Sequence, residues 1–171
     1  SYIPDFMFSG SITALVTPFT DQGSVDYEAL DRLVDFQQEN GTDGLAVIGT
    51  TGESATMTRE EIIAVMNRVI GRVDGRIPIM AGTGLAGTAK TVEQTLTAAE
   101  MGADAALVVT PYYTRPPQRG LEEHYTSIAD ASPIPLVLYN VPSRTGVDLL
   151  PETVERLSGH PRIIAIKEAV G

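Results

Sequence analysis

Six short apolar runs recur along the chain at intervals of about 30 residues, the length of one strand plus one helix. The runs are rich in valine, isoleucine, leucine and alanine and do not alternate with polar residues. Continuous apolar runs of this kind are typical of parallel strands covered on both faces. We therefore predict six strands, at residues Ser11–Thr17, Gly44–Thr51, Ile77–Thr83, Ala105–Thr110, Pro135–Val141 and Ile163–Val170.

Amphipathic segments fill the gaps between these runs. The first predicted helix stops at Gly41, a residue type that commonly follows a helix C-terminus. Its apolar face is formed by Leu30, Leu33, Val34 and Gln37. Thr58 and Glu61 form a capping-box pattern that predicts the start of a second helix. For four helices the sequence predicts both the first and the last residue. They are Tyr27–Asn40, Thr91–Met101, Leu121–Ala131 and Glu152–Leu157.

Two architectures fit this alternation: an open doubly wound sheet and part of a (β/α)8 TIM barrel. The polar residues favour the barrel, because they cluster at the C-terminal ends of the strands, where barrels build their active sites. A complete barrel needs about 250 residues. We expect one α/β domain over residues 1–171 that contains the first six βα units and stops after strand six. The polar residues at or near strand ends are Thr17, Thr50, Thr51, Thr83, Thr110, Tyr112, Tyr113, Tyr139, Asn140 and Lys167.

Composition narrows the function. The net charge is −10, with 12 basic against 22 acidic side chains, which argues against a nucleic acid or an anionic membrane as a partner. The sequence has no cysteine and two widely separated histidines, which disfavours thiolate chemistry and a metal centre. No apolar run approaches the roughly 20 residues of a membrane-spanning helix, and no signal-peptide pattern opens the chain. We expect a soluble, cytoplasmic protein.

Lys167 lies in the last apolar run. A lysine buried among aliphatic side chains is costly unless it is paired or neutral, and a neutral amine can attack a carbonyl to form a Schiff base. An ion pair with Glu168 is the plainer alternative, although adjacent residues of a strand point to opposite faces. From this feature alone, a catalytic and a structural lysine remain equally open.

The second run ends in the segment Gly49, Thr50, Thr51, Gly52 and Glu53. Small residues let backbone N–H groups approach a ligand, and two hydroxyls can donate hydrogen bonds to an anion. Taken alone, the segment is better explained as a tight turn between a strand and a helix, with Glu53 as a solvated or loop-fixing residue.

Tyrosine and arginine side chains follow the fourth and fifth runs. Tyr112 and Tyr113 follow the fourth, and the fifth includes Tyr139 and leads to Arg144. A tyrosine hydroxyl can pass a proton when another hydroxyl activates it, and an arginine can bind a carboxylate through two N–H groups. Aromatic packing at a barrel rim or a subunit contact is the alternative for each tyrosine. For the neighbouring pair both roles stay open, because they face opposite ways on an extended segment.

Residues 82–87 match the pattern GxGxxG between a strand and a helix. A dinucleotide site also needs an acidic residue at the end of the next strand to bind the ribose. That strand ends in Val109, Thr110 and Pro111. We therefore expect no nucleotide cofactor, and we expect Gly82 and Gly84 to let loops approach one another closely.

Together, four motifs resemble the dihydrodipicolinate synthase / N-acetylneuraminate lyase family of class I pyruvate aldolases. They keep the family's order and strand placement over essentially the whole chain. The Thr–Thr pair and the Ser–Arg–Thr–Gly stretch are more similar to the synthase branch than to the sialic-acid lyase branch. The motifs are residues 49–54 (GTTGES), 112–116 (YYTRP), 139–146 (YNVPSRTG) and 166–169 (IKEA).

The resemblance implies a lyase that forms a Schiff base with pyruvate. Lys167 would form the imine with the ketone carbon, and the carboxylate of pyruvate would lie on the loop of Gly49, Thr50 and Thr51. The enamine formed by loss of a methyl proton would attack aspartate semialdehyde. Cyclisation would release 4-hydroxy-tetrahydrodipicolinate, an early step of lysine and diaminopimelate biosynthesis.

The resemblance also implies a proton relay and an oligomer. Tyr139 would pass protons through Thr50 and through Tyr113, which would reach in from a neighbouring subunit across the tight interface of a dimer of dimers. Arg144 would bind the carboxylate of the second substrate. No metal or organic cofactor is implied.

Two alternatives to this function stay open. One is another pyruvate-dependent class I aldolase or hydratase-aldolase, which would share Lys167 and Tyr139 but take a different aldehyde. The other is a catalytically inert barrel fragment.

Inhibition by lysine is expected to be weak or absent. Feedback-inhibited family members bind lysine near the tight dimer interface through His, Asn and Glu side chains, whereas this chain has a cation, Lys90, where an anion would hold the amino group of the effector. Titrating lysine into a full-length version tests this, and inhibition at micromolar lysine would contradict it. The departing positions are Arg59, Ile62, Ala86 and Lys90, and only Ser54, Ala55 and Tyr112 fit the family pattern.

Overall fold

Strands and helices alternate throughout residues 8–171, which the computed structural model describes. The chain divides into two compact units. Unit 1 comprises the described residues up to Gly82 together with Met101–Asp104, and unit 2 comprises Thr83–Glu100 and Ala105–Gly171. The part of the predicted domain that covers residues 1–7 lies outside the described range.

Unit 1 contains three strands and two helices. β1 pairs with β2, and β2 pairs with β3, in parallel in both cases. The elements are β1 (Ile12–Ala14), α1 (Tyr27–Glu39), β2 (Gly44–Val47), α2 (Arg59–Val73) and β3 (Ile79–Gly82), with a 3-10 turn at Ser54–Thr56.

Both helices of unit 1 begin at capping residues. The Asp26 side chain accepts a hydrogen bond from the backbone N–H of Ala29 at 2.9 Å, which satisfies one of the free N–H groups of the first turn of α1. Thr58 and Glu61 form both hydrogen bonds of a capping box at the start of α2, so that prediction is confirmed. The buried faces of the two helices comprise Leu30, Val34, Ile62, Val65, Met66, Val69 and Val73.

Two ion pairs connect α1 to α2. Asp31 accepts from Arg68, and Asp35, one turn further along α1, accepts from Arg72, one turn further along α2. Each arginine donates through Nε and through a terminal nitrogen, the two-point geometry that suits a carboxylate. These hydrogen bonds hold the pKa of the Asp31 and Asp35 carboxyl groups below their usual value.

Unit 2 contains three strands and the remaining helices of the described range. β4 pairs with β5, and β5 pairs with β6, again in parallel. The elements are α3 (Thr88–Glu100), β4 (Ala105–Val109), α4 (Gln118–Ala131), β5 (Leu136–Asn140), the single turn α5 (Pro142–Thr145), α6 (Pro151–Ser158) and β6 (Ile163–Glu168).

The core of unit 2 lies between its strands and the helices α4 and α6. At its centre, the fully buried Tyr125 of α4 donates its hydroxyl to the carbonyl oxygen of Val108 in β4 at 2.9 Å. Burial raises the pKa of this phenol far above its ordinary value. The other buried members of the core are Ala106, Val108, Leu121, Ile128, Ala129, Leu136, Leu138, Leu149, Leu157 and Ile163.

Several strands are shorter than the sequence predicts, mainly at their C-terminal ends. β2 ends at Val47 because Ile48 adopts a left-handed conformation with φ of 60°, which no strand residue has. The one-turn helix α5 was not predicted from the sequence, although Pro142 at its first position is a typical helix start. α3 and α4 each begin three residues before the predicted position.

Gly82 and Gly84 do allow close approach of neighbouring backbone, as predicted. A Cβ at Gly82 would collide with the carbonyl oxygen of Ile48 in unit 1. A Cβ at Gly84 would lie 2.5 Å from the backbone nitrogen of Val109 in unit 2. The GxGxxG pattern therefore has a packing explanation in this fold.

No helix within residues 8–171 is long and apolar enough to cross a membrane.

Gly84→Ala is expected to lower the free energy of unfolding by about 2–4 kcal/mol, because the added methyl group would meet backbone that cannot yield. Urea denaturation measures the loss. The matched control is Gly87→Ala in the same motif, where an added Cβ meets nothing within 4 Å. The control should change stability by less than about 0.5 kcal/mol, and equal effects of the two substitutions would contradict the packing explanation.

His124 of α4 is buried with one unsatisfied nitrogen. Its Nδ1 lies 2.8 Å from the Thr88 hydroxyl oxygen, and its Nε2 has no hydrogen-bond partner among residues 8–171. Burial lowers the pKa of the imidazole from 6.5 to about 4. Because the unfolded chain binds a proton more readily in this interval, the stability due to neutral His124 is complete above pH 6.5 and is lost as the pH falls towards 4.

His124→Asn is expected to remove this component of acid sensitivity, because asparagine can still bond Thr88 but does not titrate. Between pH 7 and pH 4.5 the wild-type protein should lose about 1–2 kcal/mol more stability than the variant. Urea denaturation of both proteins at a series of pH values measures the difference, and parallel curves would refute the assignment.

Candidate active site

The segment that follows β2 in unit 1 begins with a strained residue that close packing holds in place. Ile48 is buried with φ of 60°, which is unfavourable for a β-branched residue. Gly82 in β3 has no side chain, so the Ile48 carbonyl can approach its backbone closely. The buried Thr17 hydroxyl donates to the carbonyl oxygen of Gly52 at 2.7 Å. The loop of residues 49–53 is thereby fixed at both ends.

Thr50 and Thr51 lie exposed at the tip of this loop. The loop closes on itself through hydrogen bonds from the Glu53 N–H to the Thr50 carbonyl and from the Ser54 N–H to the Gly49 carbonyl. Within residues 8–171, neither threonine hydroxyl has a hydrogen-bond partner. Two unpaired hydroxyls on a fixed turn can donate to the oxygens of a carboxylate.

Lys167 and Tyr139 lie side by side in unit 2. They are register partners in the parallel pair of β5 and β6, so their side chains project from the same face. Lys167 Nζ lies 4.4 Å from the centroid of the Tyr139 ring, a favourable distance for a cation above an aromatic face. Tyr139 itself is 6% exposed. Two of the four predicted catalytic residues are therefore in contact.

The expectation that Lys167 is buried among aliphatic side chains is wrong for the part of the chain that the structure describes. All five residues of β5 are buried, whereas in β6 only Ile163 is buried and Lys167 is exposed. The pairing that the structure shows for β6 is with β5 along one edge. An apolar strand sequence predicts burial only when neighbours cover the strand, and the environment of this amine is the aromatic ring instead.

The opposite face of the same strand pair carries a buried amide. Asn140 is 1% exposed, and its Nδ2 lies 3.0 and 3.2 Å from the two carboxylate oxygens of Glu168 and 2.8 Å from Oδ1 of Asp148. Its Oδ1 accepts from the backbone N–H of Leu149 at 3.0 Å. The Glu168 carboxylate therefore turns towards Asn140, and the alternative ion pair with Lys167 does not form.

The loop after β4 is tied to the turn that carries Arg144. Tyr113 has φ of 70° and is 91% exposed, and its backbone N–H donates to the Thr145 carbonyl at 3.1 Å. Arg115 packs beside Gly146, whose φ of 77° favours glycine. The side chain of Arg144 is exposed and has no hydrogen bond within the described range, so its guanidinium is available to a ligand.

The structure thus joins Lys167 to Tyr139, and the Tyr113 loop to the Arg144 turn, within unit 2. Gly49, Thr50 and Thr51 belong to unit 1. Tyr112 is half-buried, in keeping with the expectation that it and Tyr113 face opposite ways.

Sequence reasoning underestimated Asn140 and missed Asp148. Asn140 was singled out only as a polar strand end, and the signal for more was a carboxamide that closes an otherwise apolar buried strand. Asp148 sits in a loop where nothing in the sequence marks it. No group of three or more His, Cys, Asp or Glu side chains that could hold a metal ion occurs in residues 8–171.

The sequence is similar to a known protein family and to named enzymes. A family model described as the dihydrodipicolinate synthetase family matches residues 7–171. A 4-hydroxy-tetrahydrodipicolinate synthase of Trichlorobacter lovleyi is 56% identical over 165 residues, which are 96% of this chain and 57% of that protein. The enzyme of the same name from Pseudomonas aeruginosa is 54% identical over 165 residues, covering 96% of this chain and 56% of that protein.

The fold is also similar to solved structures. The crystal structure of a chloride-inhibited dihydrodipicolinate synthase from Acinetobacter baumannii, complexed with pyruvate, has a TM-score of 0.93 and 49% sequence identity. The match covers 94% of this chain and 55% of that one. This likeness confirms the predicted (β/α)-barrel fold class, and the chain spans little more than half the length of the relatives it matches.

Proposed function

Because the chain belongs to the dihydrodipicolinate synthetase family, we propose that it supplies the Schiff-base lysine of an enzyme that condenses pyruvate with aspartate semialdehyde. The observation that carries the proposal is the contact of Lys167 with Tyr139 on paired strands, 4.4 Å from Nζ to the ring centroid. Relatives that are 54–56% identical bear the name 4-hydroxy-tetrahydrodipicolinate synthase. A barrel fold alone would not identify a substrate.

Lys167 is proposed to act as the nucleophile. Its neutral amine adds to the ketone carbon of pyruvate, and loss of water gives an imine. Loss of a proton from the methyl group of pyruvate then converts the imine to an enamine, whose carbon forms the new bond to the aldehyde carbon of aspartate semialdehyde. The aldehyde oxygen takes up a proton, and the amine of the semialdehyde displaces Lys167 as the ring closes to 4-hydroxy-tetrahydrodipicolinate.

Tyr139 is proposed to move the protons that these steps require. Its ring lies against the lysine amine, which places the phenol on the same face of the strand pair as the proposed nucleophile. Thr50 and Tyr113 complete the relay that the family motifs imply, with Tyr113 contributed by a neighbouring subunit. The 91% exposure of Tyr113 leaves its ring accessible to a neighbouring subunit.

Carboxylate recognition is proposed for Gly49, Thr51 and Arg144. Both substrates are anions, while the chain has a net charge of −10, so a locally positive site must offset the repulsion. Arg144 offers a planar pair of N–H donors for the second substrate. The loop of Gly49 and Thr51 offers hydroxyl and backbone donors to the carboxylate of pyruvate. A cytoplasmic homotetramer, a dimer of dimers, is the proposed state of the whole enzyme.

Trapping with borohydride tests the lysine directly. Incubation with pyruvate and sodium cyanoborohydride should give a stable adduct of one reduced pyruvate, which peptide mass mapping places on Lys167. Tyr139→Phe should slow the trapping about 100-fold, because the proton relay is lost while the ring remains.

Internal and matched controls make the result decisive. The chain has one other lysine, Lys90, whose peptide should remain unmodified, and Lys167→Met should abolish the adduct. A well-folded sample that forms no adduct on Lys167 would refute the proposal in favour of an inert fragment. If Lys167 is trapped but aspartate semialdehyde is not consumed, another pyruvate-dependent aldolase is the better assignment.

A further inference from the structure

β6 contains one residue more than β5 near the start of their pairing. Leu136 pairs with Ile163, but the next residue of β5, Val137, pairs with Ala165, so that Ile164 has no partner in the register. We call this register shift the bulge, because the extra residue advances the rest of its strand by one position.

This bulge decides which face Lys167 occupies. In a strand, a register change of one residue moves every later side chain to the opposite face. With the bulge, Lys167 pairs with Tyr139. Without it, an unbroken register from Leu136 and Ile163 would pair Tyr139 with Ile166, and Lys167 would lie on the far face opposite Asn140.

The bulged register is held by hydrogen bonds from Asn140. Beyond the bulge, Asn140 pairs with Glu168, and its amide N–H groups donate to both carboxylate oxygens at 3.0 and 3.2 Å. Its backbone carbonyl accepts from the N–H of Ala169 at 2.9 Å. In the unbroken register, without the bulge, the Asn140 amide would face Lys167, which has N–H donors and no acceptor when protonated.

The Asn140 side-chain amide is fixed in orientation by its other hydrogen bonds. Asn140 is buried, with its Oδ1 bound to the Leu149 N–H and its Nδ2 also close to Asp148. Because Oδ1 is already engaged, the amide cannot flip to offer an oxygen to a lysine without leaving the buried Leu149 N–H unsatisfied. Hydrogen bonds to a charged carboxylate are stronger than those between neutral groups.

We propose that the hydrogen bond between Asn140 and Glu168 is a register lock: it stabilises the bulged pairing of β5 with β6 and thereby places Lys167 against Tyr139. Asn140 and Glu168 are positioning residues, which act through the strands that they join. The significance of the lock for catalysis rests on the proposed function, but the pairing can be measured without any substrate.

The measurement uses the two lysines of the chain as probes. Reductive methylation with ¹³C-formaldehyde labels Lys90, Lys167 and the N-terminus, which gives few and separable NMR signals. The Tyr139 ring, 4.4 Å from Nζ, should displace the methyl signal of Lys167 upfield by its ring current. Tyr139→Leu removes the ring and defines the undisplaced position, and Lys90 serves as an internal reference.

The variants separate the lock from general destabilisation. Asn140→Asp removes the donor, and Glu168→Leu removes the acceptor at a strand position that is exposed. Both should lose most of the upfield displacement and slow pyruvate trapping about tenfold or more. Combining Asn140→Asp with Glu168→Gln in an Asp148→Asn background exchanges donor and acceptor without placing two carboxylates together, and it should restore both. Glu168→Gln alone, whose side-chain carbonyl still accepts, and Asp148→Asn, which leaves the β6 contact in place, should keep the displacement.

Each outcome bears on the proposal. An unchanged displacement in Glu168→Leu, a failure of the exchanged pair to restore it, or an equal loss in Asp148→Asn would overturn the lock. If the displacement follows the expected order while the wild-type protein traps no pyruvate, the lock stands and the proposed function fails.

Discussion

The hydrogen-bonded register between β5 and β6 determines what chemistry this part of the molecule can support. Consecutive strand residues point to opposite faces, so two adjacent residue pairs can have different roles. Tyr139 and Lys167 bring a phenol and an amine together on one face, while Asn140 and Glu168 bond on the other. The Tyr139–Lys167 pair can take part in a reaction, whereas the Asn140–Glu168 pair stabilises the strand pairing. Neither arrangement survives a shift of one residue.

Unfavourable backbone conformations mark the same motifs. Among the described residues, five non-glycine positions have positive φ: Ile48, Glu53, Asp74, Tyr113 and Arg115. All except Asp74 lie in, or directly before, the motifs that carry the family resemblance. Each such residue costs free energy that the surrounding packing must offset. Thr17 and Gly82 provide this support around Ile48, so loop shape here is imposed by neighbouring elements.

The order of elements was predictable from the sequence because hydrophobic periodicity and helix caps act locally. The alternation of six strands with helices, the capping box at Thr58 and the packing role of Gly84 all followed from residues close in the chain. The barrel fold class followed from the polar residues at the C-terminal strand ends, and the family followed from motifs, which record long-range proximity that no local pattern contains. Strand ends were less accurate, because a left-handed residue such as Ile48 is decided by tertiary packing.

The residues of the candidate site were predictable from the sequence, but their contacts and their exposure to solvent were not. The contact of Lys167 with Tyr139 depends on the bulge at Ile164, and nothing in the run Ile163–Glu168 reveals which isoleucine is unpaired. The exposure of Lys167 does not follow from the apolar composition of its run, since composition does not show which strands have covered faces. Asn140 looked like one polar residue among ten at strand ends until its partners were known.

The ion pairs between α1 and α2 have a consequence for the polarity of the helices. Asp31 and Asp35 meet Arg68 and Arg72 in the same order along both segments, so the two helices run in the same direction. Parallel helices set like ends of their macrodipoles side by side, which is electrostatically unfavourable. Opposite charges along the seam offset part of that repulsion. Because solvent-exposed pairs are screened by salt, the contribution of these ion pairs falls as ionic strength rises, while the buried amide between the strands is shielded from it.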